Sequence, residues 1–169
     1  MIPDGQHGPS AASRRREAVA VVTGGSYGTG REIARVLAGW GWAIVVVYLE
    51  DQRLAEETVA EILDAEGTIV AVRADLADEL DVQRLLREST AAFGGVDVVV
   101  HATTGGAALL YEHAAQHVRH GGAIVGLNAA DPVPSGVAHR LCERRIAVGR
   151  DPPEDVLEFL DRWRRRARA

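Results

Sequence analysis

The 169-residue chain contains no lysine; every one of its 19 basic residues is arginine. That excludes any mechanism that turns on an ε-ammonium group. It has one cysteine, Cys142, so an intramolecular disulfide cannot form and a cysteine-built zinc site is excluded in practice. Cys142 falls in the helical pattern "VAHRLCERR" and is expected to be a buried or half-buried spectator thiol. Aromatic residues make up only 5% of the chain, too few for a stacking platform for nucleic-acid bases. No apolar run approaches the roughly 20 residues of a membrane-spanning helix. The start, "MIPDGQHGPSAASRRRE", lacks the apolar core of a secretory signal, so residues 1–17 are expected to form a polar arm and the protein to be cytoplasmic.

What remains is a globular composition, 47% hydrophobic and 25% charged with a net charge of −5, long enough for one domain over residues 18–169. Arginines cluster at Arg14–Arg16 and in the closing "DRWRRRARA". Both clusters read as solvated termini in preference to a nucleic-acid surface.

Short apolar runs alternate with longer amphipathic ones. Strands are expected at 18–23, 43–48, 68–75, 96–103, 123–130 and 146–149. Between them the 3.6-residue period predicts helices at 30–41, 51–67, 78–95, 107–122 and 135–145, with a last helix over 152–169. In the second helix Leu54, Thr58, Ile62 and Ala65 should face inward. In the fourth, Gly121 and Gly122 should close the helix. Strands apolar on both faces, each followed by a helix, predict an α/β fold: a doubly wound, mostly parallel Rossmann-like sheet of about six strands. Ligands of such sheets bind at the carboxyl ends of the strands.

The segment from Thr23 to Gly30, "TGGSYGTG", joins the first strand to the first helix. There Gly24 should end the strand in a tight turn, Gly28 should admit a pyrophosphate to the backbone, and Gly30 should let the helix pack closely on the sheet. Free amides and the helix dipole favour the phosphate. Ser26, Tyr27 and Thr29 complete the candidate loop. Two further groups stand out. His101 would end the fourth strand, with Asn128 and Asp131 after the fifth, and a histidine beside a carboxylate can exchange protons. The alternative is a histidine that simply fills a polar turn. His113, His117 and His120 follow a helical spacing, but the opposite face reads as core, so they are expected on a solvated face and no metal is assigned.

"TGGSYGTG" resembles the TGxxxGxG loop of short-chain dehydrogenase/reductases. "VVVYLEDQRLAEETVAEI" resembles their acyl-carrier-protein ketoreductase branch, and the likeness continues through Asp75-Leu76 and "GGVDVVVHAT". It persists in pieces through "AAQHVRHGGAIVGLNAA", "RRIAV" and "GRDPPEDVLEFLDRW". The resemblance implies a nicotinamide dinucleotide, NAD or NADP, with Asp75 and Leu76 beside the adenine and Ala102 beside the cofactor. Glu50 and Asp51, where an NADP-binding relative usually carries a basic residue, favour NAD; a chain that retains no cofactor stands as the alternative. The family's chemistry uses a Tyr-x-x-x-Lys pair and a serine after the fifth strand. Here there is no lysine, no tyrosine follows the fifth strand, and Ala129 stands at the serine position. His101-Ala102-Thr103-Thr104 replaces the family's Asn-Asn-Ala-Gly. The chain looks like a trimmed copy, with the catalytic helix deleted after Pro134. The expectation is a non-standard oxidoreductase whose catalytic candidates are His101, Asn128 and Asp131. The alternatives are a non-redox enzyme on the same frame (a cyclase, isomerase or dehydratase) and a non-catalytic partner. A dinucleotide or small molecule is the expected ligand. Lost helices would expose an apolar patch for self-association or a partner protein, and neither membrane nor nucleic acid is expected as a partner.

Overall fold

A computed structural model of the protein describes residues 18–128, 131–150 and 153–169. The polar arm, the Arg14–Arg16 cluster and Ala129 lie outside them. Six strands and six helices alternate: β1 (Val19–Thr23), α1 (Gly28–Gly39), β2 (Ala43–Tyr48), α2 (Gln52–Asp64), β3 (Thr68–Arg73), α3 (Glu79–Phe93), β4 (Val96–His101), α4 (Ala107–His117), β5 (Val118–Gly126), α5 (Ser135–Glu143), β6 (Ala147–Arg150) and α6 (Pro153–Ala167). The sheet runs β3-β2-β1-β4-β5-β6, and every neighbouring pair is parallel. Strand order therefore reverses between β1 and β4, which places a crevice above their carboxyl ends.

Strand alternation splits the core between the two faces. Val21, Val45, Val47 and Val99 join α3, α4 and α5 through Leu85, Leu86, Leu110 and Leu141. Ala20, Val22, Ile44, Val46 and Val98 join α1, α2 and α6 through Ile33, Leu37, Ile62 and Leu160. The strands are apolar throughout because both faces are covered. Local signals set several helix ends. The Asp78 carboxylate accepts from the amides of Leu80 and Asp81 to start α3, and Gly94, at φ 81°, ends it. The Asp51 carboxylate accepts from the Leu54 amide at the start of α2. That helix stops at Asp64, so Ala65 is exposed instead of inward.

The fourth helix differs more from its sequence pattern. It ends at His117, and β5 begins at Val118, ahead of Gly121 and Gly122. Arg144, from beyond α5, donates to the carbonyls of Ala115, Gln116 and Val118 at 3.1, 2.6 and 2.8 Å. These are the carbonyls a helix end leaves unpaired. The Val96↔Val118 pairing and the irregularity before Val98↔Ala123 then draw the next residues into the sheet. Consequently the three histidines share no helical face. His113 is buried, with Nε2 at 3.1 Å from Glu79 Oε1, while His120 sits in β5. Cys142 is exposed rather than half-buried, because α5 turns Val137 and Leu141 to the sheet. The helix described between β5 and β6, α5, has 9 residues and carries neither tyrosine nor lysine.

All three tryptophans meet where α6 docks. Trp42 lies edge-on to Trp40 and to Trp163 at ring separations of 5.6 and 5.7 Å, and the Arg164 guanidinium sits 4.1 Å over Trp40. Trp163 Nε1–H donates to the Gly121 carbonyl at 3.0 Å. The closing arginines are partly engaged as well, Arg164 and Arg165 both binding Asp161. No helix among the described residues is long and apolar enough to cross a membrane.

Candidate functional site

A cleft of about 530 Å³ opens above the carboxyl ends of β1 to β4, within the range of small-molecule sites. Its walls are four strand-to-helix connections: Gly24, Ser26 and Tyr27 after β1, Tyr48–Asp51 after β2, Ala74–Ala77 after β3, and Thr103–Gly106 after β4. The first wall depends on glycine. Gly24 has φ +63°, and a Cβ on it would lie 2.6 Å from Thr103 Cγ2. A Cβ on Gly30 would lie 2.2 Å from the Gly24 carbonyl oxygen, so α1 could not seat this close to β1 with any other residue there. Tyr27 is extended and offers α1 no side-chain cap, and the first intrahelical bond is Arg31 N–H to Tyr27 O at 3.2 Å. The first-turn amides thus lack intrahelical acceptors. Space above Gly28 is open, since a Cβ there would meet nothing within 4 Å.

On the opposite wall, the Asp75 amide donates to Asp81 Oδ2 at 2.9 Å, and Asp75 Oδ1 accepts from Ala77 N–H at 2.9 Å. The Asp81 carboxyl is held below the usual carboxylate range, first by that Asp75 amide and then by Arg84. Leu76 backs onto Gly106, where a Cβ would lie 2.5 Å from the Leu76 Cβ. The cleft is acidic: Glu50, Asp51 and Asp75 line it, with no arginine among the described residues of its walls.

Of the residues singled out in the sequence, Gly24, Ser26, Tyr27, Asp75 and Leu76 line the cleft. Gly28 and Thr29 are exposed at the start of α1, and Gly30 is buried beneath the loop. Ala102 is half-buried behind the Thr103 wall, its amide donating to Thr23 Oγ1 at 3.0 Å. Thr103 to Gly106 were not singled out as wall residues. The signal for them was the left-handed Gly105-Gly106 pair, at φ 79° and 73°, before α4.

His101 is fully buried below the cleft floor and is not among its lining residues. Its Nδ1 lies 2.9 Å from Thr23 Oγ1 and its Nε2 lies 3.8 Å from Asp131 Oδ2. Neither Nε2 nor that carboxylate oxygen has a hydrogen-bond partner. Burial pushes the His101 imidazole below its ordinary value, against the opposing pull of Asp131 and of the Gly105 backbone. With the Asp131 carboxylate facing Nε2, the neutral ring is assigned its proton there, and Nδ1 receives the Thr23 hydroxyl. The Tyr111 ring stands edge-on at 6.2 Å. Asn128 stays outside the cleft walls, its carbonyl accepting from the Asp131 amide at 3.1 Å. Among the described residues no group of three potential ligands gathers in metal-binding geometry.

A six-stranded parallel sheet with a glycine-cradled cleft at its switch point defines a Rossmann-like α/β protein. Residues 18–120 match the family model for short chain dehydrogenase, and the chain belongs to that family. It is 31% identical over 142 residues to a hydroxynaphthalene reductase-like protein, Arp2, of Metarhizium robertsii, covering 70% of this chain and 53% of the relative. It is 37% identical over 83 residues to a 3-oxoacyl-[acyl-carrier-protein] reductase of Synechocystis, covering 49% of this chain and 34% of the relative. The chain thus spans about half or less of the length of these curated relatives. Among solved structures, a dehydrogenase/reductase from Sinorhizobium meliloti superposes with a TM-score of 0.66 at 26% identity, covering 80% of this chain and 73% of the other.

Proposed function

We propose that this protein binds a nicotinamide dinucleotide in the cleft above Gly24–Gly30 and is a non-standard oxidoreductase of its family. The seat of α1 on β1 carries this reading. Gly30 brings the helix start within reach of a ligand in the cleft, and the open space over Gly28 leaves the first-turn amides free to meet a phosphate. Gly24, Ser26 and the amides of Gly28, Thr29 and Gly30 would hold the pyrophosphate. Asp75 and Leu76 would flank the adenine, and Ala102 would lie on the cofactor side of β4. The bound cofactor would supply or accept a hydride.

The sequence given has no lysine, so no tyrosine–lysine pair is assigned to it in this reading. His101 and Asp131 supply the acid–base pair instead, with the Asn128 main chain fixing Asp131. Glu50 and Asp51 on the cleft wall favour NAD, since a 2′-phosphate beside them would meet like charge. Fluorescence titration with NADH and NADPH tests the assignment. Saturable binding, tighter for NADH, is expected, and Glu50→Arg should narrow that preference. Absence of saturable binding by either nucleotide overturns it.

A further inference from the structure

The Thr23, His101 and Asp131 contacts continue to the cleft. Thr23 Oγ1 lies 3.5 Å from Thr103 Oγ1, and Thr103 is half-buried on the cleft wall. A string of polar atoms therefore runs from a carboxylate, through a buried imidazole and a buried hydroxyl, to a hydroxyl at the ligand surface. We propose that Asp131, His101, Thr23 and Thr103 form a hydrogen-bond relay that turns the Thr103 O–H toward a carbonyl or hydroxyl oxygen of the ligand in the cleft when His101 is protonated. The inference rests on the dinucleotide reading for the identity of that ligand and on the geometry alone for the relay.

The hydroxyl of Thr23 explains how the string switches. With His101 neutral, Thr23 accepts from the Ala102 amide and donates to Nδ1. With His101 protonated, Nδ1–H donates to Thr23, whose own proton must then turn toward Thr103. Thr103 then accepts from Thr23 and turns its own O–H toward the ligand oxygen, so the ligand gains one hydrogen bond and no covalent bond is broken. Loss of the Nδ1 proton reverses the order and leaves His101 neutral with its Nε2 proton toward Asp131. The groups facing His101 are Thr23 from β1, Tyr111 from α4, the Gly105 backbone from the loop after β4, and Asp131 from the segment after β5. Asp131 is the one carboxylate among them, and it explains why two buried polar atoms without partners face each other. At 3.8 Å they are too far apart for a hydrogen bond, and their electrostatic attraction offsets part of the desolvation cost that each alone would carry. Thr103 would be the ligand-binding residue; Thr23, which also lines the cleft, and His101 and Asp131 behind it would be positioning residues.

Two measurements on the full chain test the relay. The first follows the His101 ring by nitrogen NMR against pH. The expected result is a neutral ring protonated at Nε2, with a titration midpoint lowered by Asp131→Asn and left in place by Thr103→Val. A neutral ring protonated at Nδ1, or a midpoint indifferent to Asp131→Asn, overturns the relay whether or not dinucleotide binds. The second measures the Kd of NADH against pH. Binding is expected to weaken about two- to tenfold, the range of one net hydrogen bond, as pH rises through the His101 midpoint. Thr103→Val and His101→Asn should each flatten that profile, with thermal unfolding confirming that both variants fold. NADH that binds with a flat profile in the unaltered protein overturns the relay and leaves the dinucleotide reading standing. NADH that does not bind overturns the dinucleotide reading, and the NMR measurement then decides the relay by itself.

Discussion

Replacing Gly30 by alanine isolates the contact on which the cleft depends. The added Cβ would lie 2.2 Å from the Gly24 carbonyl oxygen, 2.7 Å from its carbon and 3.1 Å from the Gly25 nitrogen. All three are main-chain atoms, so no side chain can swing aside. Ordinary contact begins at 3.4 Å, so α1 or the Gly24 turn must retreat by more than an ångström. Overpacking of this kind costs about 1–3 kcal/mol, and the rigid partners place Gly30→Ala in the upper part of that range. Helix propensity opposes the loss by at most about 1 kcal/mol. Gly39→Ala supplies the control in the same helix. A Cβ on Gly39 meets nothing within 4 Å, so only the propensity gain applies, and stability should stay level or rise by up to about 1 kcal/mol. Urea unfolding of the two variants should therefore give opposite signs for one chemical change. Gly30→Ala should also weaken NADH binding, because the retreat moves the first-turn amides. A Gly30→Ala protein as stable as the Gly39→Ala protein would refute the close-approach argument.

Arg144→Met keeps the aliphatic stem but removes the bonds to three carbonyls; a loss of about 2–4 kcal/mol is expected by urea unfolding. His101 makes stability depend on pH with a fixed sign. The unfolded chain takes up a proton below the ordinary histidine value of 6.5, whereas the folded chain refuses it until a lower pH. Stability therefore falls as pH drops from about 6.5 toward the folded value and levels off below it. The stability gap between the unaltered protein and His101→Asn should shrink across that window, and a gap that widens refutes the burial argument. Trp163→Leu removes the bond to the Gly121 carbonyl and an edge-on ring contact; about 2 kcal/mol should be lost, read by denaturant titration.

The alternation of apolar strands with amphipathic helices was legible from neighbouring residues alone. The parallel six-stranded sheet followed, as did the third helix and the separate tasks of Gly24 and Gly30. Each of these depends on side-chain periodicity or on a backbone conformation set within a few residues. Residues brought together from distant segments were not legible. Thr23 and His101 are 78 positions apart, and Asp131 reaches the same histidine from a third segment. Local pattern placed His101 at the crevice, but the pleat turned its ring below the floor. The end of α4 was misread for a related reason: Gly121 and Gly122 are locally plausible stops, yet Arg144 satisfies the carbonyls of an earlier turn. Sequence by itself determined which elements form and that they build a parallel, doubly wound sheet. Only tertiary structure decided which polar atoms share a desolvated space, because that depends on how the elements stack and on what burial then costs each unpaired group.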